Sequence, residues 1–236
     1  MKRIILGSIA LAALLPAFQS VIAADLPSQP VYRAPIVTPA PVYNWTGCYV
    51  GGNVGAGWGR GQITDVNSGG GVSATNTGFV GGVQIGCDYE FAGGFVIGAR
   101  DMFDGASLNS GSTISTGALV NDTANSKTQW FNILTARIGY AVMPNALIYF
   151  QGGGAWTRTT QTITTPAGAQ IGQFANNKGG YVVGGGFEYM FAPKWSTFLE
   201  YNYMNFGTNS GTTTTGVNVN LKHDTQTLLV GINYRF

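Results

Sequence analysis

Few residues of this 236-residue chain could do chemistry: ten acids, twelve bases, one histidine and two cysteines. Seven of the charged residues, Asp88, Glu90, Arg100, Arg137, Glu188, Glu200 and Arg235, fall where apolar residues alternate with small or polar ones. Each takes the polar side. Carboxylates and guanidiniums gathered on one enclosed face would neutralise one another by ion pairing, a structural chemistry more than a catalytic one. His223-Asp224, the one adjacent His–Asp pair, could belong to a hydrolase with a serine from elsewhere. Adjacency is not triad geometry, however, and the pair reads as solvated rim. A single histidine excludes a multi-histidine metal centre, and two cysteines cannot complete a zinc tetrahedron. The glycines match neither a phosphate loop nor a dinucleotide fingerprint. The expectation is a protein without catalytic residues, metal or cofactor.

The elements that must carry these residues follow from composition. Charged residues are 9% of the chain, against about 25% in soluble domains. Hydrophobic residues make up 44%, aromatics 12%, and there are 36 glycines. Beyond the N-terminus no apolar run is long enough for a transmembrane helix, and the aromatic content argues against disorder. Lys2, Arg3, the apolar "IILGSIALAALLPAF" and Val21-Ile22-Ala23 form a signal peptide over residues 1–23. Five prolines from Pro27 to Pro41 make residues 24–44 an extended periplasmic tether. Without Lys2 and Arg3 the twelve bases fall to ten, against ten acids. No basic patch points to nucleic acid.

From Trp45 to Phe236 the period is two, the signature of strands. Val50, Val54, Ala56 and Trp58 oppose Tyr49, Gly51, Asn53 and Gly57; Leu199, Tyr201 and Tyr203 oppose Glu200 and Asn202. The last strand sets Leu228, Val230, Ile232, Tyr234 and Phe236 against Gly231, Asn233 and Arg235. Short turns near "FAGG", "MPNA" and "APKW" alternate with long Gly/Ser/Thr/Asn-rich connections near 60–76, 104–127, 158–178 and 206–221. That rhythm describes an all-β, eight-stranded antiparallel up-and-down transmembrane barrel with both termini periplasmic. A soluble barrel would reverse the polarity. Tyr89, Phe95, Tyr140, Phe150, Tyr189 and Tyr234 then form one aromatic girdle, and Trp58, Phe79, Trp130, Trp156, Tyr181 and Tyr203 the other.

The seven charges face inward and should form one cluster filling the lumen, because eight strands leave room for little but side chains. A gated ion path through that plug is the alternative. Strict alternation would point Asp101 at lipid; either a bulge shifts the phase near Arg100, or the strand has already reached the outer interface there. Pairing Val54 with Gly81 sets Cys48 opposite Cys87 near the periplasmic rim, within disulfide range. Two free thiols facing lipid are the other reading.

"PAPVYNWTGCYVGGNVGAGWG", "TARIGYA", "VGGGFEYMFAPKWSTFLEYNYMNFG" and "LLVGINYRF" resemble the small outer-membrane β-barrel proteins of alphaproteobacteria, the surface immunogen and haemin-binding group among the OmpA-like barrels. The resemblance implies insertion by the barrel-assembly machinery, which reads a terminal strand with aromatics such as Tyr234 and Phe236. It also implies aromatics at 48 and 87, where this chain has two cysteines, so both changes together suggest a bond. A carboxylate at 100 and bases at 135 and 229 belong to the resembled pattern; here stand Arg100, Thr135 and Leu229. The expected partners are outer-membrane lipid and lipopolysaccharide. The expected role is structural, supporting the envelope and displaying four loops. Loop capture of a host molecule or of haem, with His223 and Tyr203 offering a ligand, is one alternative, and a narrow pore is the other.

Overall fold

The computed structural model describes residues 42–66, 71–113, 121–212 and 218–236. The signal peptide at 1–23 and nearly all of the tether at 24–44 lie outside the described residues. Eight strands follow: β1 (Gly47–Asp65), β2 (Gly71–Glu90), β3 (Phe95–Thr113), β4 (Thr123–Met143), β5 (Ala146–Thr164), β6 (Gln170–Ala192), β7 (Trp195–Thr212) and β8 (Asn218–Arg235). Each pairs antiparallel with the next, and β8 returns to β1, closing the barrel. Closure removes the edge strand whose unpaired amides no lipid could satisfy.

Three tight turns, the start of β1 and the end of β8 share one end, here the terminal end; the longer connections share the other, the loop end. In the turn after β2, Gly93 (φ 93°) and Gly94 (φ 83°) adopt the left-handed region that side chains resist. The long connections are shorter than the sequence suggests. Thr64 still pairs with Gly71, and Thr113 with Thr123. These strands continue well past the aromatic residues at the loop end. The ladder goes on there while the apolar alternation stops, because the outer face no longer meets hydrocarbon.

Along the middle of every strand the apolar side chains point out. Phe79 is 83% exposed and Phe150 70%. A continuous apolar surface of this kind suits lipid and not water. Aromatic pairs bound it on both sides. At the terminal end Phe95 packs on Tyr140 (5.2 Å) and Trp195 on Tyr234 (5.0 Å). Towards the loop end Trp58 meets Tyr201 (6.3 Å) and Phe103 meets Trp130 (5.8 Å). Gln226 accepts from both the Trp58 indole (2.9 Å) and the Tyr201 hydroxyl (2.8 Å), so the polar edges of that girdle are satisfied.

In the first hairpin Val54 lies opposite Gly81 and Cys48 opposite Cys87, with the two sulfurs bonded. Asp101 keeps the unbroken alternation of β3. The shift in β3–β4 register falls later, between Gly105 and Leu108, so no bulge re-aims it. Its carboxylate lies on the outer face next to the Phe103–Trp130 pair and accepts a 2.9 Å hydrogen bond from Asn132.

Candidate functional site: the barrel lumen

The lumen is a stack of layers, built by the inward residue of every second strand position. The lowest layer is apolar. Trp45, Val96, Leu147, Tyr149 and Met190 are each buried to within 1% and close the terminal end. The Trp45 ring underlies the Arg235 guanidinium at 5.6 Å.

Above it sits the first ion nest. Arg137 on β4 reaches Asp88 on β2 through Nε (2.7 Å) and Nη2, and donates through Nη1 to Glu188 on β6 (3.0 Å). Arg235 on β8 donates to the same Asp88 at 2.8 Å and to the Trp45 and Gly47 carbonyls. Glu188 also accepts from Ser196 (2.6 Å) and Asn233 (3.0 Å). Two acids and two bases thus neutralise one another, and hydrogen bonds occupy the remaining lone pairs, the condition under which a buried ion pair is tolerable. The Arg137 guanidinium lies between the Tyr49 ring (5.2 Å) and the Tyr149 ring (4.9 Å).

Tyr149 links this nest to a second. Its hydroxyl donates to Glu200 (2.6 Å), which also takes Arg100 on both oxygens (2.6 and 2.5 Å) and Asn202 (2.7 Å). Gln151 accepts from Arg100 and donates to Asn202. Glycines make room for these groups. A Cβ at Gly98 would overlap the Asp88 carboxylate, and one at Gly186 would stand 2.7 Å from the Tyr149 hydroxyl.

The seven inward charges therefore do not form the single cluster expected. Asp88, Arg137, Glu188 and Arg235 make one nest, and Arg100 with Glu200 another. Glu90 stands apart, half-buried at the terminal end, where it accepts from the Trp45 amide at 3.2 Å. Asp104 is an inward acid that the reading of 104–127 as a loop overlooked. It is 1% exposed and takes a 2.9 Å hydrogen bond from Asn53. Its step of four from Arg100 on one strand was the available signal.

An apolar belt follows: Phe198 and Leu229 stand level with the second nest, Leu229 opposite Glu200, and Val80, Met102, Phe131, Met204 and Phe206 lie farther towards the loop end, all 4% exposed or less. Beyond the belt, His223 is fully buried and stacks on Phe206 at 5.9 Å, with Nε2 3.1 Å from the Thr225 hydroxyl. The solvated rim expected for His223 is corrected, because β8 and the lumen continue past it. Tyr203 sits on the outer face of β7, between the inward Asn202 and Met204. The two side chains lie on opposite sides of the wall and cannot grip one ligand together. His223 is opposite Gly61, beyond the Trp58–Gln226 pair of the girdle. Burial there, with the Lys178 charge, pushes its pKa down to about 4.

Tyr234 faces outward against Trp195, and Phe236 is exposed, its amide donating to the Cys48 carbonyl at 3.1 Å. These two residues border the β8–β1 seam that completes the barrel.

The sequence matches the family described as outer membrane protein beta-barrel domain over residues 13–236. It is 30% identical over 247 residues to the 31 kDa outer-membrane immunogenic protein of Brucella melitensis, covering 100% of both chains. It is 27% identical over 238 residues to the 25 kDa outer-membrane immunogenic protein of Brucella abortus, covering 95% of each. In fold it is similar to the outer membrane protein OprG of Pseudomonas aeruginosa, with a TM-score of 0.52 at 13% identity over 84% of this chain and 99% of that one. The chain is an outer-membrane protein and belongs to the outer membrane protein β-barrel domain family.

Proposed function

We propose that this protein is a closed structural barrel that supports the integrity of the outer membrane and displays its four loop-end connections outside the cell. The terminal end, with the chain termini, then faces the periplasm. The observation that carries this reading is the filled lumen: among the described residues two neutralised ion nests and two clusters of buried apolar side chains occupy it. The barrel-assembly machinery would take up the chain through β8, whose Tyr234 and Phe236 present aromatics outward at its end. The immunogenic character in the names of the Brucella relatives accords with exposed loops. Among the described residues the lumenal acids are held by guanidiniums and amides, an arrangement that suits structure more than catalysis. Capture of haem or of a host molecule remains a task for the loops alone. The test is a deletion strain challenged with bile salts or a large antibiotic. Sensitivity should rise and be reversed by the whole protein and by an Arg137-intact barrel with trimmed loops. Rescue that needs the loops would favour a binding role; unchanged sensitivity would refute envelope support.

A further inference from the structure

Asp65, Asp88, Asp104, Glu188 and Glu200 point into the barrel with Arg100, Arg137, Lys178 and Arg235, and the outer wall carries charges of its own. Four exposed cations point outward beyond the loop-end girdle: Arg60, Lys127, Arg158 and Lys222. Arg60 and Arg158 each stand one pleat repeat past a girdle tryptophan, Trp58 and Trp156. Arg60 has an acid, Asp224, directly opposite on β8. Lys127 and Arg158 have none. Arg158 lies opposite Trp130 and Asn177, and Lys127 opposite Thr160, so among the described residues no outward carboxylate compensates them. Around Lys127 the wall is hollowed into a depression of about 460 Å³ lined also by Asn109, Asn125, Gln129, Thr160 and Gln173.

The vertical order of these groups is informative. Trp130 and Trp156 mark the boundary of hydrocarbon. Two residues along a strand carry the chain roughly 6–7 Å further, to the height of lipid headgroups. Arg158 stands two residues past Trp156, and Lys127 three past Trp130 across a register shift, with amides and hydroxyls around Lys127 that can both donate and accept. Cations suit phosphate, and Asn, Gln and Thr suit sugar hydroxyls. We propose that this outer face of β3–β6 binds the phosphorylated sugar headgroup of a glycolipid in the surrounding leaflet. The proposal rests on the reading that the loop end faces outward from the cell.

The experiment uses the full barrel refolded in non-ionic micelles and titrated with purified lipopolysaccharide, with its dephosphorylated form and with inorganic phosphate. Each juxtamembrane cation contributes roughly 1 kcal/mol, about five-fold in affinity. Lys127→Ala/Arg158→Ala should therefore bind lipopolysaccharide about thirty-fold more weakly, while Lys194→Ala at the terminal end should not change it. Dephosphorylated lipopolysaccharide should bind the unsubstituted barrel as weakly as the intact lipid binds the variant. Equal affinity for both barrels, with the variant still heat-modifiable on a gel, overturns the proposal. So does competition by millimolar inorganic phosphate, which would indicate a simple anion site. If the alanine variant does not fold, salt decides: affinity of the unsubstituted barrel must fall steeply with ionic strength, and salt-independent binding overturns the proposal. An epitope placed in the 165–169 connection separates the two readings. An epitope inaccessible on intact cells refutes the orientation, whereas an accessible one with unchanged affinities refutes only the lipid site.

Discussion

Arg137→Met removes the guanidinium that Asp88 and Glu188 share, and keeps a side chain of similar reach. Removing one partner of a buried pair typically costs about 3–5 kcal/mol, because the remaining charge stays in a low dielectric. Here part of the loss is cushioned. Asp88 keeps Arg235 at 2.8 Å, and Glu188 keeps Ser196 at 2.6 Å and Asn233 at 3.0 Å. The contacts of Arg137 with the Tyr49 and Tyr149 rings vanish as well. The expected cost is therefore about 3 kcal/mol, the lower part of that range. The assay is urea unfolding of the barrel in lipid vesicles, followed by tryptophan fluorescence and by heat-modifiable gel mobility. A second variant makes the reasoning sharper. The nest holds two acids and two bases; Arg137→Met leaves it one negative charge in excess, and Arg137→Met/Glu188→Gln restores neutrality. The double variant should recover at least about 1 kcal/mol relative to simple addition of the two single costs. Lys194→Met, in an exposed turn, should stay within about 0.5 kcal/mol. A cost for Arg137→Met below about 1 kcal/mol, or strictly additive costs in the double variant, would refute the idea that mutual neutralisation stabilises the lumen.

Gly98→Ala drives a methyl group into the Asp88 carboxylate, whereas a Cβ at Gly52 meets only the Gly82 carbonyl at 3.6 Å. Overpacking of this kind costs about 1–3 kcal/mol, so Gly98→Ala should shift the same urea transition and Gly52→Ala should barely move it. Cys48 and Cys87 are 39 residues apart in sequence, and a cross-link over such a loop contributes about 2–4 kcal/mol by the chain-entropy argument. Reductant, or Cys48→Ser/Cys87→Ser, should lower the unfolding midpoint and slow the migration of the boiled protein; identical mobility with and without reductant would mean two free thiols. His223 is held below its ordinary value, at about 4. The folded barrel therefore keeps it neutral while the unfolded chain protonates near pH 6.5. Its contribution is complete above that pH and is lost as pH falls towards 4, by up to about 3 kcal/mol. The loss between pH 6.5 and 4 should be smaller in His223→Gln, as read from urea midpoints at each pH.

The class, strand count and facing of this protein were legible because the middle of each strand separates two solvents. Lipid on one side and a packed polar lumen on the other impose a strict period of two, visible in Leu228–Phe236 against Gly231, Asn233 and Arg235. Past the girdle that contrast ends. In "TTQTIT" threonine occupies both faces and Ile163 is the one apolar residue, so the strand continues without an alternation to announce it. This is why the ends of β5 and β8 read as loops and why His223 was assigned to a solvated rim. Parity placed the inward charges but could not group them. Whether Glu90 joins Arg137 or the Trp45 amide depends on height along the barrel, which strand stagger sets. Asp104 was missed for the same reason as His223, its strand having been cut short. Partner residues such as Ser196 and Asn233 carry no charge to draw the eye, although each lies on the inward side of its strand.

Ion conductance reads most directly whether the lumen is filled. The refolded barrel would be inserted in a planar bilayer at 1 M salt and recorded over long sweeps at both polarities. No stable conductance step is expected from the unsubstituted protein, because Phe131, Met204 and Phe206 fill the lumen above the ion nests and Trp45 fills it below. Reproducible, ohmic single-channel steps from barrels that keep their heat-modifiable mobility would contradict a filled lumen, and the protein would then be a narrow pore.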